Sequence, residues 1–364
     1  MTIHLWQEQV FEVDGLITAS VTIETPNRTQ NCLWYRVQAK HKSLLTSSCD
    51  PFVVATIFMA MKQGADLVVH GEVSPSLLQN LAEFQAAWVC WRPEYYRQIE
   101  ISVEVEREQT PTDRLSRAIS TFSGGVDSCF TAFRHTKKLC GRVQRPLEAG
   151  LMIHGLDIPL NEQQIFDNAA KKSRATLASL ELELITMATN FREFDQDWED
   201  VHGVAIGSCL MLLQGGYSEG LIPSSLPYDA LALPWGSNPI TDPLLSSSTF
   251  PIVHDGAAFT RTEKVKQIAQ WREALQNLRV CWEGTQKDKN CGHCEKCVHT
   301  ILNFRAVRLG LPPCFDRDIA DEEILQVLKK SLLIDYALLL AEAKAHSISD
   351  SWVATLEEFV TPRQ

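Results

Sequence analysis

Two short strings hold the residues best suited to chemistry. The first is Ala118-Ile119-Ser120-Thr121-Phe122-Ser123-Gly124-Gly125-Val126-Asp127-Ser128. An apolar strand runs into two adjacent glycines and then into a helix. Glycine, with no Cβ, lets the backbone come close to an anion. The helix that follows presents free N–H groups and the positive end of its dipole, and Ser123 and Ser128 add hydroxyl donors. Phe122, Ser123, Gly124, Gly125, Val126, Asp127 and Ser128 therefore read as a phosphate cradle at the carboxyl end of a strand, where open α/β sheets place their ligands. The string is neither a G-x-x-x-x-G-K-S/T loop nor a G-x-G-x-x-G fingerprint. A strand-to-helix turn without a ligand is the plainer alternative.

The second string runs from Cys281 to Cys297 with the spacing C-x9-C-x2-C-x2-C. Four thiolates from Cys281, Cys291, Cys294 and Cys297 suit tetrahedral Zn2+. The x2 spacings place neighbouring thiolates on one tight knuckle, and Gly292 eases the turn between Cys291 and Cys294. With all four bound no coordination position stays open, so the site reads as structural. His293 lies between two cysteines and reads as a supporting or solvent-facing side chain rather than a ligand. A [4Fe–4S] cluster is the sharper rival, and unligated thiols are the bland one.

The elements that must position these strings are legible from pattern. Asp14-Gly15 between two apolar runs signals a hairpin. Leu33 to Ala39 and Asp66 to His70 read as strands, and Val53 to Met61 as a helix. Ser74-Pro75 opens a second helix that runs to about Trp88, and Ile99 to Val105 closes this first unit as a strand. The stretch 106–116 is polar and reads as a linker. From Ala118 the chain alternates strand and helix, which points to a doubly wound parallel sheet with further strands at Leu147 to His154, Leu184 to Met187 and Gly220 to Pro223. The stretch 224–262 reads as a long functional loop, and the chain after the cysteines as helical. The expected organisation is an α/β domain over 1–112, the phosphate-loop domain over 113–280, and a cysteine knuckle with helices over 281–364.

The chain has 364 residues, enough for about two domains. Its 34 basic and 45 acidic side chains leave a net charge of −11, which counts against nucleic acid as the partner. The cysteine count is odd at 11, with four gathered in the knuckle. The first residues have neither a basic segment nor an apolar core of a leader peptide, and the longest apolar run, Pro51 to Met61, is too short to span a bilayer. The expectation is a cytoplasmic protein with reduced thiols and no membrane contact.

The S-G-G-x-D-S string of Ser123 to Ser128 resembles, letter for letter, the signature of the PP-loop ATP pyrophosphatases. Followed by C-x9-C-x2-C-x2-C about 150 residues later, it is similar to one branch in particular, 7-cyano-7-deazaguanine synthase (QueC). The resemblance covers roughly residues 116 to 315. It implies a Rossmann-like adenine nucleotide α-hydrolase fold, Mg2+ and ATP as cofactors, and a ligase that adenylates a carboxylate, releasing pyrophosphate. Ammonia or another amine then displaces AMP to give an amide, and a second adenylation dehydrates the amide to a nitrile. A carboxylated 7-deazapurine-like acid is the implied substrate, as in queuosine biosynthesis, and a homodimer is the implied assembly. Relatives of the branch that act in antiviral defence join a deazaguanine to a protein, so the amine donor is open. The chain departs from the synthase in its N-terminal 115 or so residues and in the loop 224–262. The alternatives are a PP-loop enzyme of the tRNA-thiolating type and a non-catalytic ATP-binding module.

Ser123, Asp127 and Lys264 are the expected catalytic residues, Lys264 because Arg261-Thr262-Glu263-Lys264 resembles the basic stretch that these enzymes hold near the phosphates. Asp127 would position magnesium or the loop itself. His154 and Gly155, at the end of the second strand, are expected to line the adenine, as against forming a plain strand-end turn. Arg192, after the third strand, would meet a phosphate or the substrate acid, or else a surface carboxylate. Trp235 and Asp242 in the long loop are the candidates to stack on and bond to a purine-like ring. Arg279, just before Cys281, has no assigned role.

Overall fold

The computed structural model describes residues 1–110, 116–194, 196–281, 283–328 and 333–361. The chain opens on β1 (Thr2–Gln7), the short β2 (Phe11–Val13), β3 (Leu16–Glu24) and β4 (Gln30–Gln38). The Asp14-Gly15 turn joins β2 to β3 with both residues at positive φ, the backbone that a two-residue hairpin demands. Helix α1 (Asp50–Gln63) has a proline in its first turn and stops at Gly64, which is left-handed at φ 58°; the proline start and glycine stop delimit it as the sequence suggests. It leads to β5 (Asp66–Val73), α2 (Pro75–Trp91) and β6 (Ile101–Glu106). The linker expected over 106–116 falls partly outside the described residues.

The second half carries β7 (Ala118–Thr121), α3 (Val126–Thr136), β8 (Leu147–His154), α4 (Gln163–Ala178), β9 (Glu183–Thr189), α5 (Trp198–Met211), β10 (Glu219–Pro223) and β11 (Ile252–Asp255). It ends in helices α6 (Arg261–Ile268), α7 (Arg272–Asn277), α8 (Glu295–Ala306), α9 (Asp321–Val327), α10 (Leu333–Ala345) and α11 (Ser351–Val360). The strand β11 corrects the expectation of an unbroken loop over 224–262. It has only four residues and no alternating pattern, and is a strand because it pairs in parallel with β10, Gly220 opposite Ile252 through Pro223 opposite Asp255.

The described strands form one sheet in the order β11-β10-β7-β8-β9-β4-β3-β1-β5-β6, with β2 on the edge of β3. The run β9-β8-β7-β10-β11 is wholly parallel. Its order is third, second, first, fourth, fifth, so the direction of winding reverses between β7 and β10. A crevice at the carboxyl ends of these two strands is where a doubly wound sheet binds ligands. The residues after β7 are the Gly-rich string.

The sheet does not stop at β9. It continues through an antiparallel pair with β4, Tyr35 opposite Thr189 and Val37 opposite Met187. Asn190 extends the pairing with its side chain: it accepts from the Trp34 amide at 2.9 Å and donates to the Cys32 carbonyl at 2.8 Å. One hydrophobic core lies on the side of α1, α2 and α5 and runs from Ile3 to Ile252 across both halves of the sheet. Buried polar contacts bind α5 to the first half: Tyr35 donates to Ser208 at 2.9 Å, and Tyr96 to Asp200 at 2.7 Å. A second core on the other face gathers α3, α4, α6 and the C-terminal helices around Phe122 and Phe130. Among the described residues no helix is long and apolar enough to cross a membrane.

Candidate functional site

Strand β7 buries Ala118, Ile119 and Ser120 and delivers Ser123 to the carboxyl edge of the sheet. Gly124 follows at φ +78°, a left-handed conformation that only glycine adopts without strain. Gly125 caps α3 from an extended conformation and brings no side chain to the first-turn amides, so those N–H groups are available to an anion. The two serines close the turn: the Gly125 amide donates to Ser123 Oγ at 3.3 Å, and Ser128 Oγ donates to the Gly125 carbonyl at 3.1 Å.

Asp127 faces two cations from α6. Its Oδ1 lies 3.0 Å from Lys264 Nζ and its Oδ2 3.0 Å from Arg261 Nη1. Helix α6 starts where it does because Thr260 and Glu263 form a reciprocal capping box. That start places Arg261 and Lys264 three residues apart on one face. Lys264 is fully buried and also donates to the Ser224 carbonyl, at the end of β10, at 2.5 Å. The loop, α6 and the two strands of the winding reversal thus meet at one carboxylate. Burial pushes the Asp127 carboxyl pKa up, but Lys264 and Arg261 outweigh it and hold it below the ordinary carboxylate range. Arg261 Nε is buried with no hydrogen-bond partner among the described residues. An unpartnered buried donor is costly.

Three further groups face this cluster; the sequence reading left Arg279 without a role and missed Lys296 and His299. Arg279 bonds the loop itself: its amide donates to the Gly124 carbonyl at 2.8 Å and its Nε to the Ser123 carbonyl at 3.1 Å. Lys296, exposed in the first turn of α8, shares the field of Arg261, Asp157 and Asp127. His299, one turn on, is buried, and its imidazole pKa is lowered to about 3 by burial and then by Arg261, so it is neutral at pH 7. The spacing of Lys296 and His299 directly after Cys294 was the available signal.

The four cysteine sulfurs lie within 4.8 Å of one another. Cys281 and Cys294 stand 3.7 Å apart and Cys291 and Cys297 3.8 Å apart. A tetrahedron with Zn–S of about 2.3 Å has an edge of about 3.8 Å, so the cluster can hold a metal ion such as zinc. Thiolates on the separate irons of a [4Fe–4S] cluster would stand further apart. Backbone amides of Gly284 and Cys294 donate to the sulfurs of Cys281 and Cys291 at 3.3 and 3.2 Å, which stabilises thiolate charge. His293 is exposed and bonded to the Cys291 carbonyl, away from the sulfurs.

The remaining candidates are placed as follows. His154 is buried, donates to the Pro159 carbonyl at 2.9 Å and stacks on Phe166 at 4.3 Å; burial lowers its pKa. Gly155, at φ +98°, lies so close to β9 that a Cβ would stand 2.0 Å from the Thr189 carbonyl oxygen. Gly155→Ala is therefore expected to lower stability by about 3 kcal/mol or more. A shift of the urea midpoint worth less than about 1 kcal/mol would contradict this contact. Arg192 is exposed, stacks 4.3 Å over Trp198 and lines a cavity of about 190 Å³ at the carboxyl end of β9. Trp235 meets His202 edge-on at 5.1 Å. Asp242 is fully buried and accepts from Ser237 Oγ and His254 Nδ1, each at 2.7 Å; it ties the long loop to β11.

Asp255, at the end of β11, accepts from Thr131 at 2.7 Å, Arg134 at 2.9 Å and His135 at 3.1 Å, and so fixes α3 against the sheet. Burial raises its carboxyl pKa, but His135 and Arg134 more than offset this, and the folded value is depressed. A depressed folded value means that the unfolded chain binds more protons as pH falls, so the contribution is whole above the ordinary carboxyl pKa of about 3.9 and lost through the folded value. Asp255→Asn is expected to cost about 3 kcal/mol at pH 7, because it leaves Arg134 buried and half paired. The gap to the native chain in urea midpoint should hold from pH 7 to 5 and narrow below about 4. A gap that is constant to pH 3 would contradict it.

Comparison of the chain with protein-family models, curated proteins and solved structures gives no match.

Proposed function

We propose that this protein is an ATP-dependent ligase that adenylates a carboxylic acid, releasing pyrophosphate, and then joins the acyl group to ammonia or another amine. The observation that carries the reading is the Asp127 clamp on Lys264 and Arg261 beside the Gly-rich loop, at the point where the sheet's winding reverses. The arrangement gathers two cations, a helix N-terminus and a bare glycine backbone around one small volume. That is a site for the β- and γ-phosphates of a nucleotide rather than for a protein nucleophile.

In this reading the carboxylate oxygen attacks the α-phosphorus, the bond from that phosphorus to the bridging oxygen breaks, and pyrophosphate leaves. Loop amides and the α3 N-terminus hold the pyrophosphate. Lys264 and Arg261 neutralise the charge that grows on it. Asp127 keeps both cations oriented. The amine then attacks the acyl carbon and AMP leaves with the former carboxylate oxygen. Both Asp127 oxygens are engaged by cations, so the residue does not serve as a ready magnesium ligand. Magnesium, bound on the phosphates, would supply further charge neutralisation. Zinc in the four-cysteine centre has a structural part. The similarity of the two strings to 7-cyano-7-deazaguanine synthase supports a 7-deazapurine-like acid, with amide or nitrile as product and either ammonia or a protein as amine donor.

Acid-dependent exchange of labelled pyrophosphate into ATP tests this reading across a panel of carboxylic acids. Exchange with one acid, lost in Ser123→Ala, is expected. Release of ADP and phosphate with no exchange for any acid would sink it.

A further inference from the structure

We propose that Arg279 is a positioning residue through which the four-cysteine centre sets the conformation of the phosphate loop, so that metal occupancy and phosphate binding are thermodynamically linked. The proposal rests on the reading of the loop as a nucleotide site.

The guanidinium of Arg279 is nearly buried, and each of its three nitrogens has a partner. Nε donates to the Ser123 carbonyl at 3.1 Å, Nη1 to the Lys287 carbonyl at 3.2 Å, and Nη2 pairs with Asp157 at 3.6 Å. The Arg279 amide donates to the Gly124 carbonyl at 2.8 Å. Arg279 thus holds two consecutive carbonyls of the loop. In a planar trans peptide the C=O and the next N–H point in opposite directions. Turning the Ser123 and Gly124 carbonyls toward Arg279 therefore turns the amides of Gly124 and Gly125 away from it, to the side of the two serine hydroxyls. Beyond Arg279, the Gly125 amide has one long bond, to Ser123 Oγ at 3.3 Å, and glycine side chains add no restraint on these planes. Without Arg279 those N–H groups would sample both directions and hold an anion less well.

Arg279 is in turn positioned by the cysteine centre. It precedes Cys281 by two residues, and the carbonyl it bonds at Lys287 lies inside the segment that Cys281 and Cys291 close. Asn290, next to Cys291, accepts from the amides of Val280 and Cys281 at 2.9 and 3.3 Å and donates to the Leu278 carbonyl at 2.8 Å. The strand of backbone that carries Arg279 is thereby laced to the other side of the metal knuckle. A bound metal joins Cys281 to Cys291 and fixes both ends of this lacing. Loss of the metal releases it, and the loop carbonyls with it. Linkage of this kind is reciprocal: what the metal does for phosphate affinity, phosphate must do for metal affinity.

The test uses the zinc-loaded full chain and α,β-methylene-ATP with magnesium, which keeps the triphosphate intact. Calorimetric titration gives the affinity of the native chain, Arg279→Met and Arg279→Lys, with zinc content measured for each. The Met variant is expected to keep one zinc and bind the nucleotide about tenfold more weakly, with Lys intermediate. In a second arm, zinc transfer to a chromogenic chelator is timed. Saturating nucleotide should slow it severalfold in the native chain and leave it unchanged in Arg279→Met. This arm stands even where withdrawal of zinc unfolds the chain. Native affinity in zinc-loaded Arg279→Met, or zinc release from the native chain that is indifferent to nucleotide, overturns the coupling and leaves the nucleotide reading intact. Failure of the zinc-loaded native chain to bind the nucleotide at all removes both.

Discussion

Asp127→Asn should lower the rate of acid-dependent AMP formation by about a hundredfold or more, the scale seen when one preorganised charge contact is removed from a transition state. The substitution keeps the size of the side chain and removes its charge. The amide oxygen can still accept from Lys264, which is fully buried and also bonds the Ser224 carbonyl, but Arg261 loses its acceptor and keeps, among the described residues, a longer bond to Thr300 at 3.5 Å. Two cations whose repulsion one carboxylate had offset then face one another uncompensated. Breaking a buried pair on one side costs about 3 kcal/mol, so the variant should also melt earlier. The kinetic and structural parts separate in the titration with the methylene analogue. Because Asp127 positions cations for the departing pyrophosphate, the loss should fall more on turnover than on analogue binding. Equal losses in both would show that Asp127 serves ground-state binding alone.

Cys297→Ser should abolish metal binding and cost more stability than any substitution elsewhere in the C-terminal region. Cys297 is fully buried and belongs both to α8 and to the cysteine cluster. Binding of a structural zinc is folding free energy, on the order of 10 kcal/mol in small zinc domains, and a chain with two large cores loses only part of that. A loss of about 3 kcal/mol or more is expected, with metal content falling from one equivalent to near zero. The damage should extend to α8, since Cys294 is its N-cap and Lys296 and His299 hang from it. A variant that keeps full metal content would show that three cysteines suffice.

Both chemical strings were legible because each is local. The order Ser123 to Ser128 forces a glycine turn between a strand and a helix whatever surrounds it, and the spacing from Cys281 to Cys297 brings four sulfurs together through short segments. The Thr260–Glu263 capping box that starts α6 is equally local, but the sequence reading ran the loop through it to residue 262. What escaped was non-local. The β4–β9 pairing that makes one sheet of both halves joins Tyr35 to Thr189 through backbone register, which leaves no side-chain pattern. The strand β11 is too short to show a period. Arg279 and Asp127 depend on partners more than 120 residues away in sequence, at Ser123 and at Arg261 and Lys264. His154 shows the opposite limit: its position at the end of β8 was readable, but the direction of its ring is set by Pro159 and Phe166.

Acid-dependent adenylation at the loop of Ser123 to Ser128 is the reaction proposed for this protein. The most direct measurement is incubation of the zinc-replete chain with magnesium-ATP, ammonium and 7-carboxy-7-deazaguanine, followed by quantitation of AMP and pyrophosphate and the mass of the base. The expected result is AMP and pyrophosphate in equal amounts, dependent on the acid, with a base whose mass corresponds to the amide or the nitrile. AMP no higher than in the acid-free control, with zinc bound and the nucleotide analogue still binding, would contradict it for this acid class.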